Sequence, residues 1–142
     1  FDTVGEARLQ YLADIDAVPW LAAEGLQLLA LARECAGGVA SSAFSTRTYL
    51  EWAMAILNEN GPYPMVLYLH PSVHEDSDIA AKAARNIVIG RIQAGYVPSS
   101  MRRSGFWKVV KPLLGASAGA IRLDLTGELV SAFVVFGAPE DC

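Results

Sequence analysis

A helix-forming segment and a strand-forming segment meet at a sharp break in the middle of the chain, and this succession constrains the fold more than any other feature. Thr48-Tyr49-Leu50-Glu51 has the spacing of a capping box, in which a threonine and a glutamate three residues later start a helix. Asn60-Gly61-Pro62 ends that helix, because proline cannot continue it. The apolar residues 65–69 predict a central strand that is buried on both faces and closed by His70-Pro71. The chain is therefore predicted to combine helices with a sheet.

Three more helices are predicted from their periodicity and end signals. They cover residues 3–12, 19–36 and 79–86. Pro19 suits the first position of the second helix, and Gly37-Gly38 ends it. Ser72-Val73-His74-Glu75 is a second possible capping box, ahead of the third helix. Residues 87–97 and 106–114 fit either a helix or a strand, and both assignments stay open.

The last part of the chain predicts a β-hairpin. Residues 121–125 alternate between apolar and charged side chains, as in a half-buried strand. Thr126-Gly127 supplies a turn, and residues 129–136 return as a β-branched and aromatic strand. The predicted fold class is α+β, with residues 1–142 forming a single domain. Helices in the N-terminal half would pack on a mixed or antiparallel sheet that includes the C-terminal hairpin.

The surface of the chain is predicted to be partly covered by other subunits. Charged residues make up 18% of the chain and hydrophobic residues 53%, with a net charge of −4, whereas an ordinary soluble domain is about 25% charged. This composition excludes intrinsic disorder and a collagen-like chain. Two cysteines, Cys35 and Cys142, are too few for a disulfide framework and predict a reducing compartment. The apolar residues 19–32 fall short of the ~20 residues that cross a bilayer, so no membrane segment is predicted.

Charge is segregated along the chain. Residues 79–121 contain seven Lys and Arg and no acidic residue, whereas the segments on both sides are net acidic. Such blocks can set the register between identical subunits, or folding can bring them together and cancel them within one chain. A basic block with aromatic residues can also contact a polyanion, although the acidic net charge disfavours specific nucleic-acid recognition. The residues expected at subunit-interface or polyanion contacts are Trp52, Arg91, Arg102, Arg103, Trp107 and Lys108.

The two histidines suggest an alternative function. His70 and His74 stand four residues apart, with Asp78 nearby. On one helical face this spacing could hold a divalent metal, which would make the chain a small oligomeric enzyme or a ligand-binding domain. Pro71 argues against a helix at His70, because the residue before a proline is pushed out of the helical region. No catalytic, cofactor-binding or metal-binding residue is therefore predicted, and the histidine site remains the alternative.

The segment around the central break resembles part of a known family. It consists of the capped helix of residues 45–58, the Asn-Gly-Pro break, and Pro64-Met65-Val66-Leu67-Tyr68-Leu69-His70-Pro71. This combination resembles a stretch of the tailed-phage major capsid proteins, in which a capped helix is followed by a central strand. Gly95-Tyr96-Val97-Pro98-Ser99-Ser100 is similar to the glycine-led strand that follows in that family. The resemblance implies an α+β shell subunit without a cofactor or catalytic residue, which assembles into pentamers and hexamers around DNA.

The function predicted on this basis is that of a structural, self-assembling component of a viral shell, and not that of an enzyme. Its partners would be copies of itself or other capsid subunits, with non-specific contact to packaged nucleic acid and no membrane. Its location would be the virion, or the cytoplasm if the resemblance does not hold. Assembly would bury apolar surface between copies, which contributes roughly 25 cal/mol per Å² before the costs of association.

Overall fold

The structure is a computed structural model that describes residues 18–41, 44–95 and 99–141. The helix predicted over residues 3–12 and the terminal Cys142 lie outside the described residues. Across the described ranges the chain forms seven α-helices and five short strands in two small sheets, which confirms the predicted α+β class. None of the helices in these ranges is long and apolar enough to span a membrane.

The first half is a parallel βαβαβ unit. Its elements are β1 (Trp20–Ala22), α1 (Leu26–Cys35), β2 (Gly38–Ser41), α2 (Arg47–Leu57) and β3 (Met65–Leu67). The strands lie in the order β1-β2-β3 and both pairs are parallel, with Leu21 opposite Val39 and Ala40 opposite Val66. Each helix is the crossover that returns the chain to the start of the next parallel strand.

The second half is mostly helical. Its elements are β4 (Pro71–Val73), α3 (Ser77–Gln93), α4 (Ser99–Arg102), α5 (Trp107–Val110), α6 (Ala118–Asp124), α7 (Gly127–Phe133) and β5 (Val135–Gly137). β4 and β5 pair in parallel, with Ser72 opposite Phe136. Only residues 68–70 separate β3 from β4, and they form no turn. One extended segment, residues 65–73, therefore contributes strands to both sheets.

Two apolar clusters form the core. The first packs the three-stranded sheet against α1 and α2, and its buried members include Leu29, Val39, Tyr49 and Leu57. The second packs α3, α6 and α7 together, and its buried members include Val88, Ile92, Ile121 and Leu129. Phe44, from the connection between β2 and α2, also belongs to the second cluster. This residue links the two halves of the fold.

The segment predicted as one helix over residues 19–36 is a strand followed by a helix. Pro19 precedes β1 instead of starting a helix, and α1 begins only after Gly25. The end of the helix at Cys35 agrees with the glycine signal that follows it. Gly38, however, lies in β2 directly opposite Trp20, where a Cβ would come within 2.7 Å of the indole ring. Glycine is therefore favoured at position 38 by its packing against Trp20.

The capping box predicted at Thr48 is wrong by two residues. α2 begins at Arg47, and the side chain of Thr46 accepts a hydrogen bond from the backbone N–H of Tyr49. Thr48 consequently lies within the first turn of the helix, where its side chain is exposed. The predicted end of α2 is confirmed, because a short 3₁₀ turn leads to Gly61 with φ of 123°.

The strand predicted over residues 65–69 is present as β3, but it is neither central nor buried. β2 is the central strand of the sheet. Val66 is 46% exposed, and Leu69, just beyond the strand, is 63% exposed. An apolar run of this kind is typical of a parallel strand covered on both faces. The described part of the chain leaves this strand at an edge with apolar side chains exposed.

The basic region between β4 and β5 in sequence is mostly helical. Asp76, and not the predicted Ser72, caps α3, which continues through Gly90 to Gln93. The segment 106–114, left open by the sequence, forms α5 and a following 3₁₀ turn. Residues 99–102 form α4, which includes the last two residues of the glycine-led strand suggested by the capsid resemblance. Residues 96–98 of that segment lie outside the described residues.

The predicted C-terminal β-hairpin is wrong. Residues 118–124 and 127–133 are the helices α6 and α7, and the side chains of Ser117 and Thr126 cap them. Ile121 and Leu125 are both buried, and their spacing of four residues is also the spacing of one helical face. All strand pairs among the described residues are parallel, so the predicted mixed or antiparallel sheet is wrong as well.

Candidate functional site

The carboxyl ends of β1 and β2 carry a cluster of polar groups. Parallel α/β units bind ligands at this edge of the sheet, where loops replace the buried strands. The hydroxyls of Ser41 and Ser45 lie 2.6 Å apart. The Tyr49 hydroxyl donates a hydrogen bond to the backbone carbonyl of Glu24 at 3.3 Å. We call these four residues the carboxyl edge.

Tyr49 provides the carboxyl edge with an uncharged hydroxyl. Its side chain is fully buried, and burial raises the pKa of Tyr49 from 10.0 to about 12. A hydrogen bond with Ser41 opposes this shift of the pKa, the charge of Glu24 adds to it, and the charge of Arg103 opposes it. The hydroxyl therefore remains protonated at neutral pH, where it can donate a hydrogen bond but cannot act as a base.

Phe44 connects the carboxyl edge to the helical half. It has a positive φ of 75°, a conformation that is uncommon for a residue with a large side chain. Its buried ring lies 5.3 Å from the ring of His70 and 5.4 Å from that of Phe133. The guanidinium carbon of Arg91 lies 5.5 Å from the same ring. Strained residues of this kind persist where surrounding contacts hold them, and they are frequent at functional sites.

A groove lined by cations and indoles lies beside the N-terminal half of α2. Its volume is about 600 Å³ and it is open to solvent. The residues that line it are Thr48, Trp52, Arg102, Arg103, Gly105, Trp107 and Lys108. We call it the cationic groove. Pockets that bind small molecules commonly have volumes of about 300–1,000 Å³.

The two arginines of the groove rest on its two indoles. The guanidinium carbon of Arg103 lies 3.9 Å from the ring centre of Trp52, and that of Arg102 lies 5.9 Å from the ring centre of Trp107. Cation–π contact restricts the positions of these long side chains. It uses none of the N–H donors of a guanidinium, which therefore stay available for an anion.

Among the described residues, no ion pair joins a cation of the groove to an acidic side chain. Within the described residues, neither Arg102, Arg103 nor Lys108 belongs to an ion pair; the pairs that form are Arg33 with Glu59 and Arg47 with Glu51. The surrounding segment, residues 79–121, contains no acid. The groove therefore brings three positive charges together without an ion pair to a described acidic side chain.

A buried hydrogen bond holds the groove together. The hydroxyl of Thr46, which caps α2, donates to the backbone carbonyl of Ser104 at 3.0 Å. The hydroxyl of Ser104 in turn accepts from the backbone N–H of Phe106 at 3.0 Å. Gly105 between them has φ of 88°, which turns the chain from α4 into α5. This bond fixes the side of the groove formed by α4 and α5 against the side formed by α2.

The groove brings together five of the six residues predicted at contact positions. Trp52, Arg102, Arg103, Trp107 and Lys108 all line it, although Trp52 is fifty residues from the arginines in sequence. Arg91 does not line the groove, because it lies against Phe44. Ser41, Ser45, Tyr49 and Phe44 were not singled out by the sequence. The hydroxyl-rich run after Gly37-Gly38 is the signal that could have pointed to them.

The alternative metal site does not form. His74 Nδ1 accepts a hydrogen bond from the backbone N–H of Asp76 at 2.9 Å, which occupies one of its two nitrogens. His70 packs on Phe44 in the extended residues between β3 and β4. In the ranges that the structure covers, no group of three His, Cys, Asp or Glu side chains is placed to hold a metal ion. Pro71 keeps the two histidines off a common helical face, as expected.

Comparison with known proteins identifies a solved structure of similar fold. No family model and no curated protein matches the sequence. The solved structure of the coenzyme F420-dependent tetrahydromethanopterin reductase from Methanopyrus kandleri is similar in fold, with a TM-score of 0.65 and 20% identity over 89% of this chain. The chain shares its fold with part of a reductase. It spans 40% of that protein's length.

The similarity to a reductase overturns the capsid interpretation. The predictions of a viral shell component, of a protein that is not an enzyme and of a location in the virion are wrong with it. The resemblance rested on a capped helix followed by an apolar strand, the succession in α2 and β3. Every βα unit with a parallel sheet repeats that succession, so it does not distinguish a shell protein from an enzyme. The prediction of self-association does not depend on the capsid and remains a prediction.

Proposed function

We propose that this chain forms part of an oxidoreductase that uses a flat, reducible coenzyme of the deazaflavin or flavin type. The observation that carries the proposal is the similarity in fold, over 89% of the chain, to a reductase that depends on coenzyme F420. The parallel order β1-β2-β3 supports it, because sheets of this kind place ligands at the carboxyl ends of their strands. The polar groups of the carboxyl edge lie at that position.

The residues present fit a flat coenzyme that carries negative charge. Ser45 is half-buried at the carboxyl edge and offers a hydroxyl, while Arg103, stacked on Trp52, offers a planar guanidinium and a positive charge nearby. A coenzyme of this type supplies hydride transfer when it is bound. The residues of this chain would bind and orient it. Tyr49 keeps its proton up to high pH and would hold Glu24 and the neighbouring serines in place as a positioning residue.

The exposed apolar strands also support a larger enzyme. The large apolar side chains exposed on or beside the strands are Trp20, Val66, Leu67, Tyr68, Leu69, Val73 and Val135. Parallel sheets normally have both faces covered. Since the reductase of similar fold is longer than this chain, its remaining strands and helices are the kind of structure that would cover such faces. The chain would then be one portion of a unit of parallel strands and outer helices.

A titration with oxidised coenzyme F420, followed by its fluorescence, tests the proposal. We expect saturable binding, and FMN serves as the flavin arm of the same experiment. Ser45→Leu should weaken the affinity about tenfold by filling the carboxyl edge, an effect of about 1.4 kcal/mol. The matched control is Asn60→Leu in the exposed turn before β3, which should have no effect. Absence of saturable binding by both coenzymes would overturn the proposal.

A further inference from the structure

We propose that the cationic groove is a subsite for a small oligoanion, a flexible ligand segment that carries phosphate or several carboxylates. The inference deepens the proposed function and rests on it for the source of that segment, which is either the tail of the coenzyme or an anionic substrate. Coenzyme F420 is a deazaflavin whose tail carries a phosphate and glutamate carboxylates, and either source presents the same chemistry to the groove.

The charge of the groove favours an anion over any other ligand. Arg102, Arg103 and Lys108 line one open cavity of about 600 Å³. No ion pair with a described residue neutralises them. Three like charges on one surface repel one another, and an anionic ligand relieves that repulsion. Guanidinium groups bind phosphate and carboxylate through paired N–H donors, which a single positive charge on a flexible chain cannot do.

The arrangement indicates a built subsite and not a random basic surface. Each arginine is supported by an indole, with Arg103 at 3.9 Å from Trp52 and Arg102 at 5.9 Å from Trp107. The cations are thereby held before a ligand arrives, and less side-chain entropy is lost on binding. The hydrogen bond from Thr46 to Ser104 ties the two sides of the groove together. A surface used only for solubility needs none of these restraints.

The position of the groove connects it to the carboxyl edge. Tyr49 and Trp52 belong to consecutive turns of α2, and their ring centres lie 5.8 Å apart. Tyr49 belongs to the carboxyl edge, whereas Trp52 lines the groove. The charge of Arg103 also acts on the Tyr49 hydroxyl. A ligand held at the carboxyl edge could therefore extend an anionic segment into the groove.

Calorimetric titration of the chain with tripolyphosphate and with γ-linked triglutamate tests the inference without requiring activity. The test variant is Arg102→Gln with Arg103→Gln. Its matched control is Lys82→Gln with Lys111→Gln, which removes the same charge from exposed positions of the basic segment that do not line the groove. We expect the groove variant to lose about tenfold in affinity and the control to stay within about twofold. Affinity of the wild-type protein should also fall as salt is added.

Three results would overturn the inference. One is an equal loss in the groove variant and the control, which would mean that only net charge matters. Another is absence of oligoanion binding by the wild-type protein. The third is groove-dependent binding of random single-stranded DNA that is tighter than binding of either oligoanion, which would assign the groove to nucleic acid. Trp52→Leu keeps every charge and should still weaken oligoanion binding, because it removes the support of Arg103.

A second set of titrations identifies the source of the anion. If the groove holds the coenzyme tail, the groove variant should lose affinity for coenzyme F420 but keep its affinity for the deazaflavin ring without the tail. If it holds an anionic substrate, both forms of the coenzyme should bind the variant as they bind the wild-type protein. Oligoanion binding that depends on the groove, without any binding of coenzyme, would contradict the proposed function and leave this inference in place.

Discussion

The hydroxyl of Thr46 donates a hydrogen bond to the backbone carbonyl of Ser104, and the same oxygen accepts from the N–H of Tyr49. One buried side chain thus begins α2 and anchors the turn between α4 and α5. The Thr46 hydroxyl oxygen makes both of these hydrogen bonds, and a single substitution removes it. The stability of the chain and the shape of the cationic groove should therefore change together at this position.

Thr46→Ala should destabilise the chain more than the loss of an ordinary helix cap. The missing cap costs about 1 kcal/mol, and the Ser104 carbonyl left without its partner costs about 1–3 kcal/mol more. Thr126→Ala is the matched control, because Thr126 caps α7 and lies exposed without a tertiary hydrogen bond. Chemical denaturation of both variants measures the difference. Equal losses of unfolding free energy would show that the bond to Ser104 contributes nothing.

Tyr49→Phe should change how stability depends on alkaline pH. In the folded chain the pKa of Tyr49 is raised from 10.0 to about 12, mainly by burial. Between pH 10 and about pH 12 the folded state keeps the Tyr49 proton, whereas the unfolded state releases it. The contribution of Tyr49 to the unfolding free energy is therefore present below pH 10 and is lost as the pH rises towards about 12. The wild-type protein should lose more unfolding free energy across this window than the Phe variant. Tyr68→Phe, which removes the hydroxyl of an exposed tyrosine, is the matched control.

Phe44→Ala should destabilise the fold strongly, because the ring fills the second apolar cluster. Truncation of a buried phenylalanine costs about 3–5 kcal/mol, and the alanine would inherit the positive φ of 75°. Tyr68→Ala is the control, since that ring is 62% exposed and its removal should cost no more than about 0.5 kcal/mol. Thermal unfolding distinguishes them. A loss at Phe44 as small as that at Tyr68 would contradict its role as the link between the two halves.

Leu67→Ser with Leu69→Ser should reduce any association of the chain with itself. Both leucines are exposed, and alternate residues of an extended segment point to the same face. If this face is covered in a larger assembly, the isolated chain should associate through it, and two serines should weaken that contact. Sedimentation velocity over a dilution series measures the effect. Leu26→Ser with Leu28→Ser on α1 is the control, and an equal response of both pairs would show that association is not specific to the strands.

The elements that local signals predict are those whose ends are marked by capping or breaking residues. The ends of α1 and α2 follow from Gly37 and Gly61, whereas the predicted caps of α2 and α3 are shifted by two and four residues from the observed Thr46 and Asp76. β1 was missed because three strand residues after Pro19 merge with a helical apolar run. At Ile121 and Leu125 the same spacing satisfies a strand and a helix, and packing against α3 decides between them.

The sequence predicted most of the residues of the cationic groove but not how they are arranged. The charge run indicated Arg102, Arg103 and Lys108, and these residues do share one cavity. Nothing local places Trp52 against Arg103, because the contact that joins their segments runs from Thr46 to Ser104. The parallel pairing of β2 with β3 is equally non-local. Sequence patterns encode which side chains are available, whereas the tertiary contacts determine which of them meet.

Because residues 65–73 contribute a strand to each sheet, the number of residues between the two strands, at positions 68–70, matters as much for the fold as their identity. Its first three residues are aligned with β2 and its last three with β5. Removing or adding one residue in the spacer would move β4 by half a pleat repeat and turn its inward side chains outward. Each sheet could keep its own register only by forcing the other out of alignment. The length of the spacer, residues 68–70, therefore couples the registers of the two sheets. Homologous chains should conserve this three-residue length even where they vary its side chains.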